Sequence, residues 1–132
     1  MHKVFLGGTC NESKWRNELI PLLKVDYFNP VVDDWTPDCQ AEEYRQKKIC
    51  DIHLYVITPK MTGVFSIAEI IDSSNKNPEG TVFMILPEDD GLTYDEGQRR
   101  SLEAVSNMAR ANGATGSFVS IEALADYLNS LC

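Results

Sequence analysis

The sequence predicts an α/β fold: a single-domain, doubly wound sheet of five parallel strands with helices on both faces. Three observations carry that expectation. Short apolar runs alternate with helix-length segments along the whole chain. The runs are continuously apolar rather than alternating, as in strands buried on both faces. At 132 residues, 43% hydrophobic and 24% charged, the chain is one ordinary globular domain over residues 1–132, with no room for a second.

Taken in order, Val4-Phe5-Leu6 reads as a buried strand ending at the turn Gly7-Gly8-Thr9. Asn11 to Ser13 offer N-caps for a helix carrying Trp15, Leu19, Leu22 and Leu23 at helical spacing. Tyr27-Phe28 is a second strand, stopped by Asn29-Pro30, and Val31 to Gln40 reads as a loop. Ala41 to Cys50 is a polar helix and Ile52 to Ile57 a third strand, closed by Thr58-Pro59. Val64 to Ser74 is the next helix, and Thr81 to Leu86 the strongest strand in the sequence. After an acidic turn, Pro87 to Gly91, a long helix lies between Leu92 and Asn112 and ends at Gly113. Phe118-Val119 suggests a short fifth strand, and Ser120 caps a final helix reaching about Leu131. Five such β/α units match a flavodoxin-like sheet in the order 2-1-3-4-5.

Charge and composition exclude several functions. Twelve Lys and Arg against twenty Asp and Glu leave a net charge of −8, which argues against a nucleic-acid polymer as partner. No run approaches the ~18 apolar residues of a membrane span. Met1-His2-Lys3 leads straight into the first strand with no charged leader, which predicts a cytoplasmic protein. The four cysteines form no C-x-x-C pair, and His2 and His53 lack metal-ligand spacing, so neither a disulfide scaffold nor a metal site is expected. His53 reads as a strand residue. G-x-G-x-x-G and P-loop motifs are absent, and no cofactor is expected.

In doubly wound sheets, ligands bind beyond the carboxyl ends of the strands, near the switch in strand order. That directs attention to Gly7 to Cys10, Asn29 to Trp35, Thr58 to Glu69, and Pro87 to Gly91. Gly7-Gly8 lets a ligand approach backbone N–H groups, which suit anions; the same pair is equally a plain tight turn. Glu69 is either a solvated helix residue or a carboxylate aimed at the cleft and kept ionised by the helix N-terminus. Glu42-Glu43, opening the preceding helix on the same rim, is either a first-turn charge or the second carboxylate of a pair. Glycosidic chemistry needs two converging carboxylates, one at the anomeric carbon and one to protonate the leaving group. Trp35 either stacks on a planar base or covers the edge of the core, whereas Trp15 reads as packing. Cations are few near this cleft, Lys60 being the nearest, which favours an unphosphorylated ligand.

Together these motifs resemble the nucleoside 2-deoxyribosyltransferase superfamily, especially its short bacterial and phage-type branch, over about residues 3 to 86. Val4 to Thr9 is similar to that family's first strand and glycine turn, and Trp15 to an aromatic in its first helix. Asn29-Pro30 with Trp35 resembles an Asn-Pro-Arg-Arg…Trp segment. Glu43, eight residues before Asp51, is similar to an acidic residue that contacts the base. Ser66-Ile67-Ala68-Glu69 resembles the segment whose glutamate is the nucleophile. The resemblance implies that Glu69 attacks C1′ of a 2′-deoxynucleoside, forming a covalent deoxyribosyl-enzyme, while Glu43 holds and protonates the departing base. It implies that Phe5, Gly7, Gly8 and Thr9 line the pocket, with Asn29, Asp34, Trp35, Thr62 and Ser66 as further ligand contacts. It also implies a nucleoside or nucleotide as partner and a homo-oligomer, since so short a chain has no lid of its own.

The sequence departs from the family pattern in three places. Ile70-Ile71 stands where Leu-Gly follows the nucleophile, Val31-Val32 replaces the two arginines, and Met61-Thr62-Gly63 lacks an aspartate found in some relatives. These departures, with the acidic Pro87 to Gly91 segment, support a second reading: a non-catalytic nucleotide- or nucleoside-binding or signalling module.

Overall fold

The computed structural model describes residues 2–32 and 36–131. Four parallel strands form its sheet: β1 (Lys3–Gly8), β2 (Asp26–Phe28), β3 (Ile52–Ile57) and β4 (Thr81–Ile85), in the order β2-β1-β3-β4. Helices α1 (Trp15–Leu19), α2 (Pro37–Ile49) and α3 (Phe65–Lys76) make the crossovers. After β4, a small antiparallel hairpin of β5 (Glu88–Asp89) and β6 (Leu92–Thr93) leads into α4 (Glu96–Ala111) and α5 (Ile121–Ser130). The chain leaves β1 for β2 on one side and later returns to β3 on the other. The switch in strand order therefore lies between β1 and β3.

The expected fifth strand is not formed at Phe118-Val119. Its place beside β4 is held by a single parallel bridge, Val82 to Thr115. Beyond Thr115 the ladder stops because Gly116 packs on the Phe83 ring, where an added Cβ would lie 2.6 Å from a ring carbon. The Ser117 hydroxyl then accepts from the Ile85 N–H (3.3 Å), in place of a backbone carbonyl. Phe118 turns onto Tyr127 of α5 (5.2 Å between centroids), and Val119 is exposed.

Several boundaries also move. Pro21 closes α1 early, and Ile20–Leu22 continue as a 3-10 turn. Residues 37–40, expected as loop, are the first turn of α2. The Thr36 side chain accepts from Cys39 N, and Pro37 occupies the first helical position, where its missing N–H costs nothing. Gly7 and Gly8 belong to β1 rather than to a turn after it, in register with Tyr55 and Val56. The long helix begins only at Glu96, because Asp95 and Gln98 form a reciprocal capping box. Upstream of it, Asp90 (φ 50°) and Gly91 (φ 80°) close the hairpin.

Successive strand residues point to opposite faces, and the two faces are covered differently. On one, Val4, Leu6, Leu54, Val56, Val82 and Met84 pack against Trp15 and Leu19 of α1 and Leu124, Ala125 and Leu128 of α5. On the other, Tyr55, Ile57 and Phe83 pack against Ile70 of α3 and Leu102 and Ala109 of α4. Towards the β1 edge of that second face the cover is α2, which buries Gln46 and none of its other side chains. A groove of about 690 Å³ stays open there between α2 and α3, over His53 and Tyr55.

Candidate functional site

At the carboxyl ends of β1 and β3 a second cavity, of about 180 Å³, is walled by four elements. β1 supplies Phe5, Gly7 and Gly8, α1 supplies Arg16, α2 supplies Glu43, and α3 supplies Ser66 and Glu69. Alone it is smaller than the roughly 300 Å³ usual for a small-molecule site. Glu69 also lines the larger groove, so it stands between two compartments.

Glu69 lies in the second turn of α3, where the helix dipole has already faded. Its charge is met instead by Lys47 of α2, whose ammonium donates to Oε2. The pair is only 26% and 15% exposed, so solvent screens it less than a surface pair. Lys47 Nζ also sits 5.7 Å from the Phe5 ring centroid and 6.0 Å from that of Tyr55, within cation–π range. The end of α2 is held to the sheet by His53, whose Nε2 faces the carbonyls of Lys47 (2.8 Å) and Cys50 (3.1 Å) and therefore donates.

Glu43 accepts no hydrogen bond from any described residue. Burial pushes its carboxyl pKa up, and the nearby Glu69 charge pushes it further, against the opposing pull of Lys47 and Arg16. An upward shift is the direction that suits a proton donor. Tyr55 is also pushed up, by burial first and then by Glu69, and stays a neutral phenol.

Arg16 braces the floor. It is buried, and donates from Nε to Leu6 O (3.0 Å) and from Nη1 to Thr9 O (2.8 Å), with Nη2 3.4 Å from Gly8 O. Its guanidinium lies 4.3 Å from the Trp15 ring centroid. Burial lowers its pKa from the ordinary value, yet an arginine so anchored remains a fixed positive charge behind the cavity.

The predicted site residues divide into groups. Phe5, Gly7, Gly8, Glu43, Ser66 and Glu69 all come to the smaller cavity. The two glycines have a second reason to lack side chains. A Cβ on Gly7 would meet the Tyr55 ring at 2.8 Å, and one on Gly8 (φ 117°) would lie 2.2 Å from Val56 O. Thr9 is turned inward, its Oγ1 accepting from Thr58 N (3.0 Å). Thr62 and Asn29 serve local structure. Asn11 Nδ2 donates to Thr62 Oγ1 (2.9 Å), Asn29 Oδ1 accepts from Val31 N (3.1 Å), and it is Pro30 that reaches the cavity. Asp34 and Trp35 lie outside the described residues.

Arg16 and Lys47 were not anticipated, and they overturn the expectation of a cleft poor in cations. Lys60, expected to be the nearest, instead pairs with Asp90 on the rim. Lys47 had a signal in the sequence, four residues after Glu43 on one helix. Arg16 had none, because nothing local marks a buried arginine.

Residues 1–89 match a family model described as nucleoside 2-deoxyribosyltransferase like. The chain belongs to this family. No curated protein and no solved structure gives a match. Within the nucleoside 2-deoxyribosyltransferase-like segment lie all four strands of the sheet and α1 to α3, hence Glu43, Lys47 and Glu69. It ends in the hairpin, so α4 and α5, which complete both layers, fall beyond it. Among the described residues no helix is long and apolar enough to cross a membrane.

Proposed function

We propose that the protein cleaves or transfers the N-glycosidic bond of 2′-deoxynucleosides through a covalent intermediate on Glu69. The observation that carries this reading is the placement of Glu43 and Glu69 on one cavity at the strand-order switch. A Glu69 oxygen bonds to C1′ as the C1′–N bond breaks. The bonding pair leaves with the base nitrogen, which takes its proton from Glu43. A second base or water then attacks C1′, passes its proton to Glu43 and releases the Glu69 carboxylate. A free base as acceptor gives a transferase, water a hydrolase. The two compartments flanking Glu69 support a nucleoside with its two rings on either side of the carboxylate. No step calls on a cofactor.

Phe65, at the start of α3 and 74% exposed, lines the larger groove. Its exposure beside exposed Val64 supports a homo-oligomer in which a second copy walls the groove. Light scattering on the eluted protein tests this, and a monomer at working concentration removes that part of the reading.

The activity is tested by incubating the protein with 2′-deoxynucleosides and free bases and following base exchange and release. Turnover that disappears in Glu69→Gln is expected. Nucleosides or nucleotides that stabilise the fold yet are never consumed, across a broad panel, would overturn the enzymatic reading in favour of a binding module.

A further inference from the structure

From the pairing of Lys47 with Glu69 and its place one helical turn from Glu43, we infer that it is a positioning residue that changes partner during the reaction. It pairs with Glu69 while that carboxylate is free, and with Glu43 once Glu69 has become the glycosyl ester. The inference rests on the reaction proposed above and assigns a residue that the two-carboxylate scheme leaves without a role.

Three features of the geometry support it. Lys47 and Glu43 are four residues apart on α2, so their side chains leave the same face of one helix within roughly 5–6 Å of each other at Cβ. The Lys47 ammonium donates to Glu69 and, among the described residues, to no other hydrogen-bond acceptor. It is carried on a flexible four-carbon stem, with the rings of Phe5 and Tyr55 5.7 and 6.0 Å from its Nζ. Arg16, the other cation, has no such freedom, being held against backbone carbonyls and the Trp15 ring.

The consequence follows from charge balance. In the first half-reaction Glu69 forms its bond to C1′, the C1′–N bond breaks, and Glu43 gives its proton to the base. Esterified Glu69 carries no charge, so it no longer holds Lys47, while Glu43 is newly anionic four residues away. Moving the ammonium to Glu43 stabilises that carboxylate until the acceptor arrives. When the acceptor N–H or O–H attacks C1′, its proton goes to Glu43, the ester bond breaks, and Lys47 returns to the regenerated Glu69. The groups facing Glu43 are Lys47 on its own helix, Arg16 of α1, Cys10 after β1, Tyr55 of β3 and Glu69 of α3. Of these, Glu69 raises its pKa and Lys47 and Arg16 lower it. Removing the Glu69 charge and adding contact with Lys47 therefore act in the same direction.

The test uses Glu69→Gln as an uncharged stand-in for the ester, with the Glu43 carboxyl titrated by carbon NMR. Glu43 is expected to titrate about one unit higher in the Glu69→Gln/Lys47→Met double variant than in Glu69→Gln alone. Equal values in the two proteins overturn the inference. In the active protein, Lys47→Met is expected to move the acidic limb of the second half-reaction upward by a similar amount, with Lys47→Arg restoring it. A uniform loss of rate at every pH, with the limb unmoved, marks a merely structural lysine and also overturns the inference. Should Lys47→Met fold poorly, Lys47→Gln carries the same comparison. The NMR measurement needs no turnover, so a wild-type protein without base exchange defeats the proposed reaction while leaving the charge exchange separately decided.

Discussion

The two faces of the sheet are made by alternate residues of the same strands, yet only one of them leaves a groove, beneath α2. Beneath α1 and α5, Leu6, Leu54, Val56 and Met84 meet Trp15, Leu19, Leu124 and Leu128 in one dry cluster. Beneath α2 the cover is a helix that buries only Gln46, and the space left over His53 and Tyr55 is a groove of about 690 Å³. α5 is amphipathic and buries Ile121, Leu124, Ala125 and Leu128, whereas α2 has no apolar stripe to press onto the strands. A helix that cannot fill the space over a sheet leaves a cleft, and its polar side chains become the lining. Glu43 and Lys47 thus serve the candidate site because α2 is a poor core helix. Under α3 and α4 that second face is closed as well, by Ile57, Phe83, Ile70 and Leu102, so the proposed chemistry sits only where α2 is the cover.

That division can be attacked from both sides. The largest expected effect is from Glu69→Gln, which should lower base exchange by about 10³-fold or more, equivalent to about 4 kcal/mol of transition-state stabilisation, while thermal unfolding shows a near-normal Tm. A comparable loss of Tm would mean that the groove beneath α2 also carries stability. Next comes Leu124→Ala on the closed face. Cavity formation there should cost about 3 kcal/mol by denaturant titration and leave turnover per folded molecule unchanged.

Glu43→Gln tests the division through pH. The raised carboxyl must be protonated to act as an acid, so kcat/KM for the first half-reaction should fall as pH rises through the Glu43 value. The variant should lose about 10²-fold and that alkaline limb together. Its stability should move the other way. Because the folded chain binds the Glu43 proton more tightly than the unfolded chain does, that group favours folding below the ordinary carboxylate pKa. The contribution is lost as pH rises through the raised value. Glu43→Gln should therefore have a higher Tm than the wild type at neutral pH, the two converging in acid. The smallest effect is expected at the rim. Lys60→Gln removes an ion pair whose Asp90 partner is 52% exposed, and both Tm and turnover should stay within error.

Most strands could be read from local pattern because a buried parallel strand announces itself as an apolar run. Ile52 to Ile57 was located to the residue. The fifth strand failed for the opposite reason. Phe118-Val119 has strand composition, but the packing of Gly116 on Phe83 and of Phe118 on Tyr127 draws the chain off the sheet after Thr115. The start of α2 is hidden in the sequence because Thr36-Pro37 has the composition of a loop while serving as a helix cap. In the site, Glu69 and Glu43 stood out as carboxylates at the edges of helices in a rim position. Thr9 and Thr62 do not line the smaller cavity, and their hydroxyls accept from Thr58 N and Asn11 Nδ2, contacts that no local pattern marks.

The order of apolar runs and helices determined the α/β class, because burial on both faces leaves a periodicity any chain of this kind must carry. The same residues were enough to show the family resemblance, and with it the candidate nucleophile. Tertiary structure alone decided which cation answers Glu69. Lys47 and Glu69 are 22 residues apart, brought together when β3 places α2 and α3 side by side. An ion pair between helices has no local signature, because its geometry depends on how far each helix stands from the sheet. That distance is set here by what α2 lacks.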